Sequence, residues 1–171
     1  MRLFVAVTPP PAVVDLLRSV PRPPVDGVRW TTPEQWHVTL RFLGEVPEPG
    51  PVAESLAAVP GHVDAGGVAV HIGPALAWFA GRRILQVPVA GLDGLAAAVR
   101  TMTARWGAPL DDAPFVGHIT LARVRGRGRG PAHLAAGSID ASWRADAVAL
   151  MSSTLAPDGS RYTTEARVPL R

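Results

Sequence analysis

Trp36-His37-Val38-Thr39-Leu40 and Gly117-His118-Ile119-Thr120-Leu121 repeat one pattern, His-x-Thr-Leu, toward opposite ends of a 171-residue chain. In an extended strand successive side chains point to opposite faces, so His37 and Thr39 project on one side and Val38 and Leu40 on the other. His118 and Thr120 stand in the same relation to Ile119 and Leu121. Each stretch thus offers an imidazole and a hydroxyl on one face and an apolar pair for burial on the other. A single copy would carry little weight, since strand histidines are commonly structural or simply exposed. Two copies, each on an apolar strand and each followed by an arginine (Arg41 and Arg123), read as two halves of one site that the fold has to bring together.

Working outward, residues 2–7 form an apolar strand, and 9–20 read as a helix with Val13, Val14, Leu16, Leu17 and Val20 on its buried side. The prolines of 21–24 end that helix. Residues 28–30 make a short strand, 32–35 a turn into the first motif strand (36–43), and Pro47, Pro49 and Pro51 a loop before a second helix at 52–59. Strands are expected at 68–72 and 83–89 around a loop or hairpin at Ala80-Gly81, then a helix at 94–106 with Asp93 as its N-cap. The second motif strand, 118–124, is followed by Arg125-Gly126-Arg127-Gly128-Arg129-Gly130, a low-complexity segment expected to be a mobile loop. Two closing strands flank Ala156-Pro157-Asp158-Gly159, a hairpin turn signal. Strands and helices without regular alternation predict an α+β fold with largely antiparallel sheet.

Composition bounds the function. There is no cysteine, which removes disulfides, thiolate metal sites and a cysteine nucleophile. The isoelectric point of 10.9 suggests a nucleic-acid binder, but all 17 basic residues are arginine and the net charge at pH 7 is only +3. Charge permits an anionic partner without demanding one. No apolar run approaches the roughly 20 residues of a membrane helix, and residues 1–7 are too short for a secretory core. The expectation is a soluble, cytoplasmic, monomeric protein with no membrane partner.

Among chemistries, zinc would want three or four ligands, whereas the repeat supplies two histidines accompanied by threonine, a poor ligand. No Gly-x-Ser-x-Gly elbow nominates a serine nucleophile, and no Gly-x-Gly-x-x-Gly or Walker-type loop supports nucleotide binding of those kinds. General acid–base catalysis suits two imidazoles, whose unperturbed pKa lies near neutrality. One could take a proton from an attacking water while the other gives one to a leaving oxygen. Hydroxyls and a guanidinium could then hold the oxygens of a phosphate in in-line displacement, with no metal or other cofactor.

These motifs resemble the 2H phosphoesterase superfamily, and within it the RNA 2′,3′-cyclic phosphodiesterases, also called 2′-5′ RNA ligases. The likeness spans nearly the whole chain: Met1-Arg2-Leu3-Phe4-Val5-Ala6-Val7, then His37-Val38-Thr39-Leu40-Arg41-Phe42-Leu43-Gly44-Glu45, then His118-Ile119-Thr120-Leu121-Ala122-Arg123, and the closing segment 152–170 with Gly159 and Tyr162. The resemblance implies a single domain over 1–171, bilobal, with two mostly antiparallel sheets, pseudo-twofold symmetry and a central cleft. It implies opening of a terminal 2′,3′-cyclic phosphate on RNA ends or oligonucleotides to a 2′-phosphate, with 2′-5′ ligation as the reverse. Carried over by position, His37 and His118 are the acid–base pair and Thr39, Thr120 and Arg123 bind phosphate. Which histidine is acid and which is base stays open at this point. Only RNA has the 2′-hydroxyl that such a cyclic phosphate requires.

Simple alternation puts Arg41 on the face of His37 but turns Arg123 away from His118, so Arg123 reaches phosphate only if its strand ends or bulges near Ala122. Arg41 and Tyr162 are therefore candidate substrate contacts of a second rank. Alternation sends Phe42 to the core, Trp30 and Trp36 read as core, and His62, His71 and His133, which lack the threonine, read as non-catalytic. Two other functions stay open: an RNA- or nucleotide-binding module without turnover, and a phosphodiesterase for a small cyclic ester such as ADP-ribose 1″,2″-cyclic phosphate.

Overall fold

A computed structural model describes residues 1–170. Ten strands, β1 (Arg2–Val7), β2 (Val28–Trp30), β3 (Val38–Glu45), β4 (Val68–Ile72), β5 (Ala77–Phe79), β6 (Ile84–Ala90), β7 (His118–Val124), β8 (Ala141–Ala145), β9 (Ala147–Ala156) and β10 (Gly159–Pro169), pair antiparallel throughout. Their order is β10-β9-β1-β3-β7-β6-β4-β8, with β2 on β7 and β5 on β6. The fold is thus α+β, and the two predicted sheets are halves of one continuous ten-stranded sheet, β10-β9-β1-β3 on one side and β7-β6-β4-β8 with β2 and β5 on the other. They meet at β3 and β7 through a single register pair, Val38 with Ile119, the residues that follow the two histidines.

Three helices, α1 (Pro11–Arg18), α2 (Gly50–Leu56) and α3 (Asp93–Met102), supply apolar stripes to one hydrophobic core shared by both halves. Val13 and Leu17 of α1, Val52 and Leu56 of α2, and Leu95, Ala96 and Val99 of α3 are all buried there. Helical spacing of these residues is what makes each helix amphipathic. The N-cap of α3 is Leu92, so Asp93 is its first helical residue and makes no capping bond; its carboxylate still sits at the positive end of the helix. Helix α1 spans less than the apolar pattern suggested because Pro10 and Pro11 set its start and Ser19 its end.

Strand β1 is buried on both faces, which explains its unbroken apolar run. Leu3, Val5 and Val7 join the main core, while Phe4 and Ala6 form a small second cluster with Ala149 and Met151, against which Tyr162 packs. That second cluster lies on the sheet face opposite the helices. Two short strands, β5 and β8, were not legible as strands in the sequence. Hairpin β9/β10 turns at Pro157-Asp158, where the sequence signal put it, with Ala156 paired to Gly159.

The Arg-Gly segment 125–130 is not a free linker. Its first amide donates to Gly27 O at 2.7 Å and its last, at Gly130, to Arg82 O at 2.8 Å. A Cβ on Gly130 would stand 2.1 Å from the Trp78 ring, so only glycine lets the chain pass beneath that indole. Trp78 in turn donates from Nε1 to Pro131 O at 3.0 Å. No helix among the described residues is long and apolar enough to cross a membrane.

Candidate active site

The cleft forms where the motif strands meet. Because β3 and β7 run antiparallel through the Val38–Ile119 pair, each threonine comes to lie toward the histidine of the other strand. A cavity of about 410 Å³ opens there, lined by His37, Thr39, His118 and Thr120 from the motifs. Arg123 and Tyr162 also line it, as do Arg2, Phe4, Arg29, Thr31, Gln35, Phe42, Ser153 and Ser160. Three of the lining residues are arginines and none is a carboxylate, which makes the cleft a site for anions. Among the described residues no group of three or more His, Cys, Asp or Glu side chains could hold a metal ion.

Both imidazoles are held the same way. His37 Nδ1 lies 2.8 Å from Gln35 O and His118 Nδ1 lies 2.9 Å from Val116 O. A carbonyl only accepts, so each Nδ1 carries the proton and donates it to the residue two places back. Each Nε2 is thereby left for the cleft. In the first motif it lies 3.1 Å from Thr39 Oγ1, whose hydroxyl donates to it. Aromatic rings fix the planes: Phe4 and Tyr162 sit 4.8 and 5.0 Å from the His37 ring, and Phe79 lies edge-on to His118 at 5.0 Å.

The environment of His37 pulls its pKa from 6.5 to about 4, first by burial and further by its electrostatic interaction with Arg123 and His118, against a raising hydrogen bond to Gln35 O. His37 is therefore neutral at pH 7. Between about pH 6.5 and 4 the unfolded chain takes up a proton that the fold refuses, so stability drops as the pH is lowered, by about 3 kcal/mol across that window. Replacing His37 with Gln should flatten the dependence of Tm on pH over this range relative to the wild type. A variant profile that runs parallel to the wild type would refute the assignment.

Beyond the threonines, both strands depart from alternation, and the departures decide which side chains enter the cleft. On β3 the register passes from Ala6–Thr39 to Val5–Arg41, leaving Leu40 as an extra residue, and Leu43 is a second one. Leu40 and Leu43 are both buried. The bulge at Leu40 sends Arg41 to the core side with Val5 and turns Phe42 to the cleft side with Phe4. Two sequence expectations are corrected by it. Phe42 is not core but 46% exposed on the cleft wall, and Arg41 does not share the face of His37. It is 5% exposed and donates to Thr103 Oγ1 at 2.6 Å, Trp106 O at 3.0 Å and Ala108 O at 2.9 Å.

On β7 the register passes from Gln86–Thr120 to Leu85–Ala122, so Leu121 is the extra residue and Arg123 swings to the cleft. This is the distortion that Arg123 required. The polar groups freed by the bulge are satisfied by Thr31, whose amide donates to Leu121 O at 2.8 Å and whose hydroxyl lies 2.8 Å from Thr120 O and 3.0 Å from Leu121 O. Trp36 Nε1 donates to the same hydroxyl at 2.9 Å. Trp36 is buried and Trp30 packs on the core, as their sequence context suggested.

His62, His71 and His133 lie outside the cleft. Sequence reasoning passed over Arg2, Phe4, Arg29, Thr31, Gln35, Ser153 and Ser160. For Arg2 and Phe4 a signal existed, since alternation puts them on one face of β1 with Ala6. Arg29 had no local signal; it reaches the cleft only because β2 pairs with β7 and sets it opposite Arg123.

A family model described as LigT-like phosphoesterase matches residues 7–69. The chain is 34% identical over 128 residues, 71% of each chain, to the RNA 2′,3′-cyclic phosphodiesterase of Escherichia coli strain K12. Among solved structures, a Thermus thermophilus protein superposes with a TM-score of 0.77 at 28% identity, covering 100% of this chain and 98% of its own. E. coli LigT crystallised with 3′-AMP superposes with a TM-score of 0.70 at 26% identity, covering 98% of this chain and 97% of its own.

Proposed function

The chain belongs to the LigT-like phosphoesterase family, and from that premise we propose that this phosphodiesterase opens terminal 2′,3′-cyclic phosphates on RNA, leaving a 2′-phosphate. The observation that carries the reading is the matched pair of imidazoles, each with Nδ1–H held by a backbone carbonyl and Nε2 turned to a carboxylate-free, arginine-lined cleft.

In the reaction proposed, one Nε2 accepts a proton from water as the water oxygen bonds to phosphorus. The phosphorus–O3′ bond breaks opposite it, and the second imidazole, protonated, delivers its Nε2 proton to O3′. Presenting the same ring atom from both sides suits in-line displacement, and with a 5′-hydroxyl in place of water the same two proton transfers would join ends through a 2′-5′ linkage. Thr39, Thr120 and Arg123 hold the non-bridging oxygens, where charge builds up. Phe42 offers the base an exposed ring for stacking, and Tyr162 closes the cleft beside His37. Arg41 has no part in substrate binding, because its guanidinium is spent on Thr103, Trp106 and Ala108.

The direct test offers purified protein an RNA ending in 2′,3′-cyclic phosphate in the presence of EDTA and identifies the product. A 2′-phosphate end is expected. Absence of opening, or a requirement for added metal, defeats the proposal. A small ester such as ADP-ribose 1″,2″-cyclic phosphate, run in parallel, decides whether the substrate class is wider than RNA.

A further inference from the structure

The arginine content of the chain is not spread evenly, and one cluster of it lies just beyond the cleft. No acidic residue occurs between Asp64 and Asp93 or between Asp112 and Asp140, and these two segments meet at one end of the motif strand β7. Val124 N donates to Arg83 O at 2.8 Å, Gly130 N to Arg82 O at 2.8 Å and Arg125 N to Gly27 O at 2.7 Å, while the Arg83 guanidinium donates to Gly126 O. The contacts gather Arg82, Arg83, Arg125, Arg127 and Arg129 around the end of the strand that places Arg123 in the cleft. Two residues of extended chain, roughly 7 Å, separate Arg125 from Arg123.

Arg100, Arg161 and Arg167 each pair with an aspartate. Among the described residues, none of the five in this cluster has an ion-pair partner. Asp26 precedes the Gly27 carbonyl that anchors the loop and forms no ion pair with any of the five. Arg125, Arg127 and Arg129 are exposed along the loop, and the loop is anchored at both ends, so their charge stays beside the cleft. Arg82 keeps a side chain at φ 63°, a conformation in which glycine would be unstrained. Guanidiniums without carboxylate partners, gathered at the end of the strand that brings Arg123 to an anion cleft, match a chain of phosphates.

We propose that the Arg125–Gly130 loop, with Arg82 and Arg83, is a second binding surface that grips the backbone phosphates of the single strand leading to the cyclic end. The inference rests on the cyclic phosphodiesterase reading of the cleft and adds a second site of grip on the strand behind the reacting end. Contacts of this kind are independent of base sequence and sensitive to salt.

The experiment compares two substrates, a nucleoside 2′,3′-cyclic phosphate and an oligoribonucleotide of about ten nucleotides ending in the same group. Substituting Arg125→Ser, Arg127→Ser and Arg129→Ser together should raise KM for the oligonucleotide about tenfold and shrink its salt slope by about 1.5–2. Both kinetic constants for the mononucleotide should stay where they were. The corresponding triple lysine variant should keep most of the oligonucleotide affinity. Equal losses on both substrates, or no loss on either, overturn the inference while leaving the cleft reading intact. Failure of the wild type to open either substrate overturns the cleft reading itself.

Discussion

Replacing His118 with alanine is expected to lower kcat for cyclic phosphate opening by about 10²–10⁴-fold, the range over which a positioned acid or base accelerates proton transfer. The fold should survive, because His118 lies at the start of β7 on the cleft side and its one polar bond is to Val116 O. His37→Ala should cost a similar factor. Its surroundings differ, since His37 is wedged between Phe4 and Tyr162, so this variant should also loosen the small cluster beneath it. The two histidines act on one bond, one on each side of phosphorus, and once either is lost the other has little to assist. The double variant should therefore lose far less than the product of the single losses. Near-wild-type kcat in either single variant, measured on protein with an unchanged circular dichroism spectrum, would remove that histidine from the chemistry.

Much of this site was legible because strand alternation and motif repetition are strong local signals. His37, Thr39, His118 and Thr120 line one cleft, as their spacing suggested. What alternation could not convey was where it fails. A bulge is a property of two strands in register, and nothing in Thr39-Leu40-Arg41-Phe42 marks Leu40 as an extra residue. For the second strand the need for a distortion was visible, because Arg123 otherwise faced away, but its location at Leu121 appears only in the pairing with β6. With both bulges in place the halves of the site align by offset from histidine. Phe42 and Arg123 each lie five residues after their histidine and both enter the cleft, while Arg41 and Ala122 lie four after and both face the core. The pseudo-twofold relation thus makes Phe42, and not Arg41, the counterpart of Arg123. Long-range residues such as Arg29 and Thr31 were invisible for a different reason: their roles come from pairing with a strand some ninety residues away.

That offset separates the two motif arginines into opposite predictions. Arg41 is buried with three acceptors converging on its guanidinium, two of them the carbonyls of Trp106 and Ala108. The chain presents those carbonyls by turning at Gly107, whose φ of 65° and whose approach to Leu43 O, 2.1 Å from a would-be Cβ, exclude any other residue. Removing the guanidinium leaves the acceptors dry and unpaired at a cost of about 3–5 kcal/mol, roughly 10 °C in Tm for a chain of this size. Arg41→Lys should rescue little of it, because one ammonium lacks the planar fork that spans the three partners. Yet the folded fraction of Arg41→Ala should keep its kcat and KM. Arg123 reverses the pattern. It is exposed to the cleft and, among the described residues, no carboxylate pairs with it, so Arg123→Ala should leave Tm within about 1–2 °C. Its kcat/KM should fall by about 10²–10³-fold, the effect of losing one donor to a phosphate whose charge grows in the transition state. Calorimetry and steady-state kinetics on the same two preparations decide the matter. If Arg41→Ala lost activity at full fold, or Arg123→Ala lost stability at full activity, the bulges would not be sorting these arginines as their registers indicate.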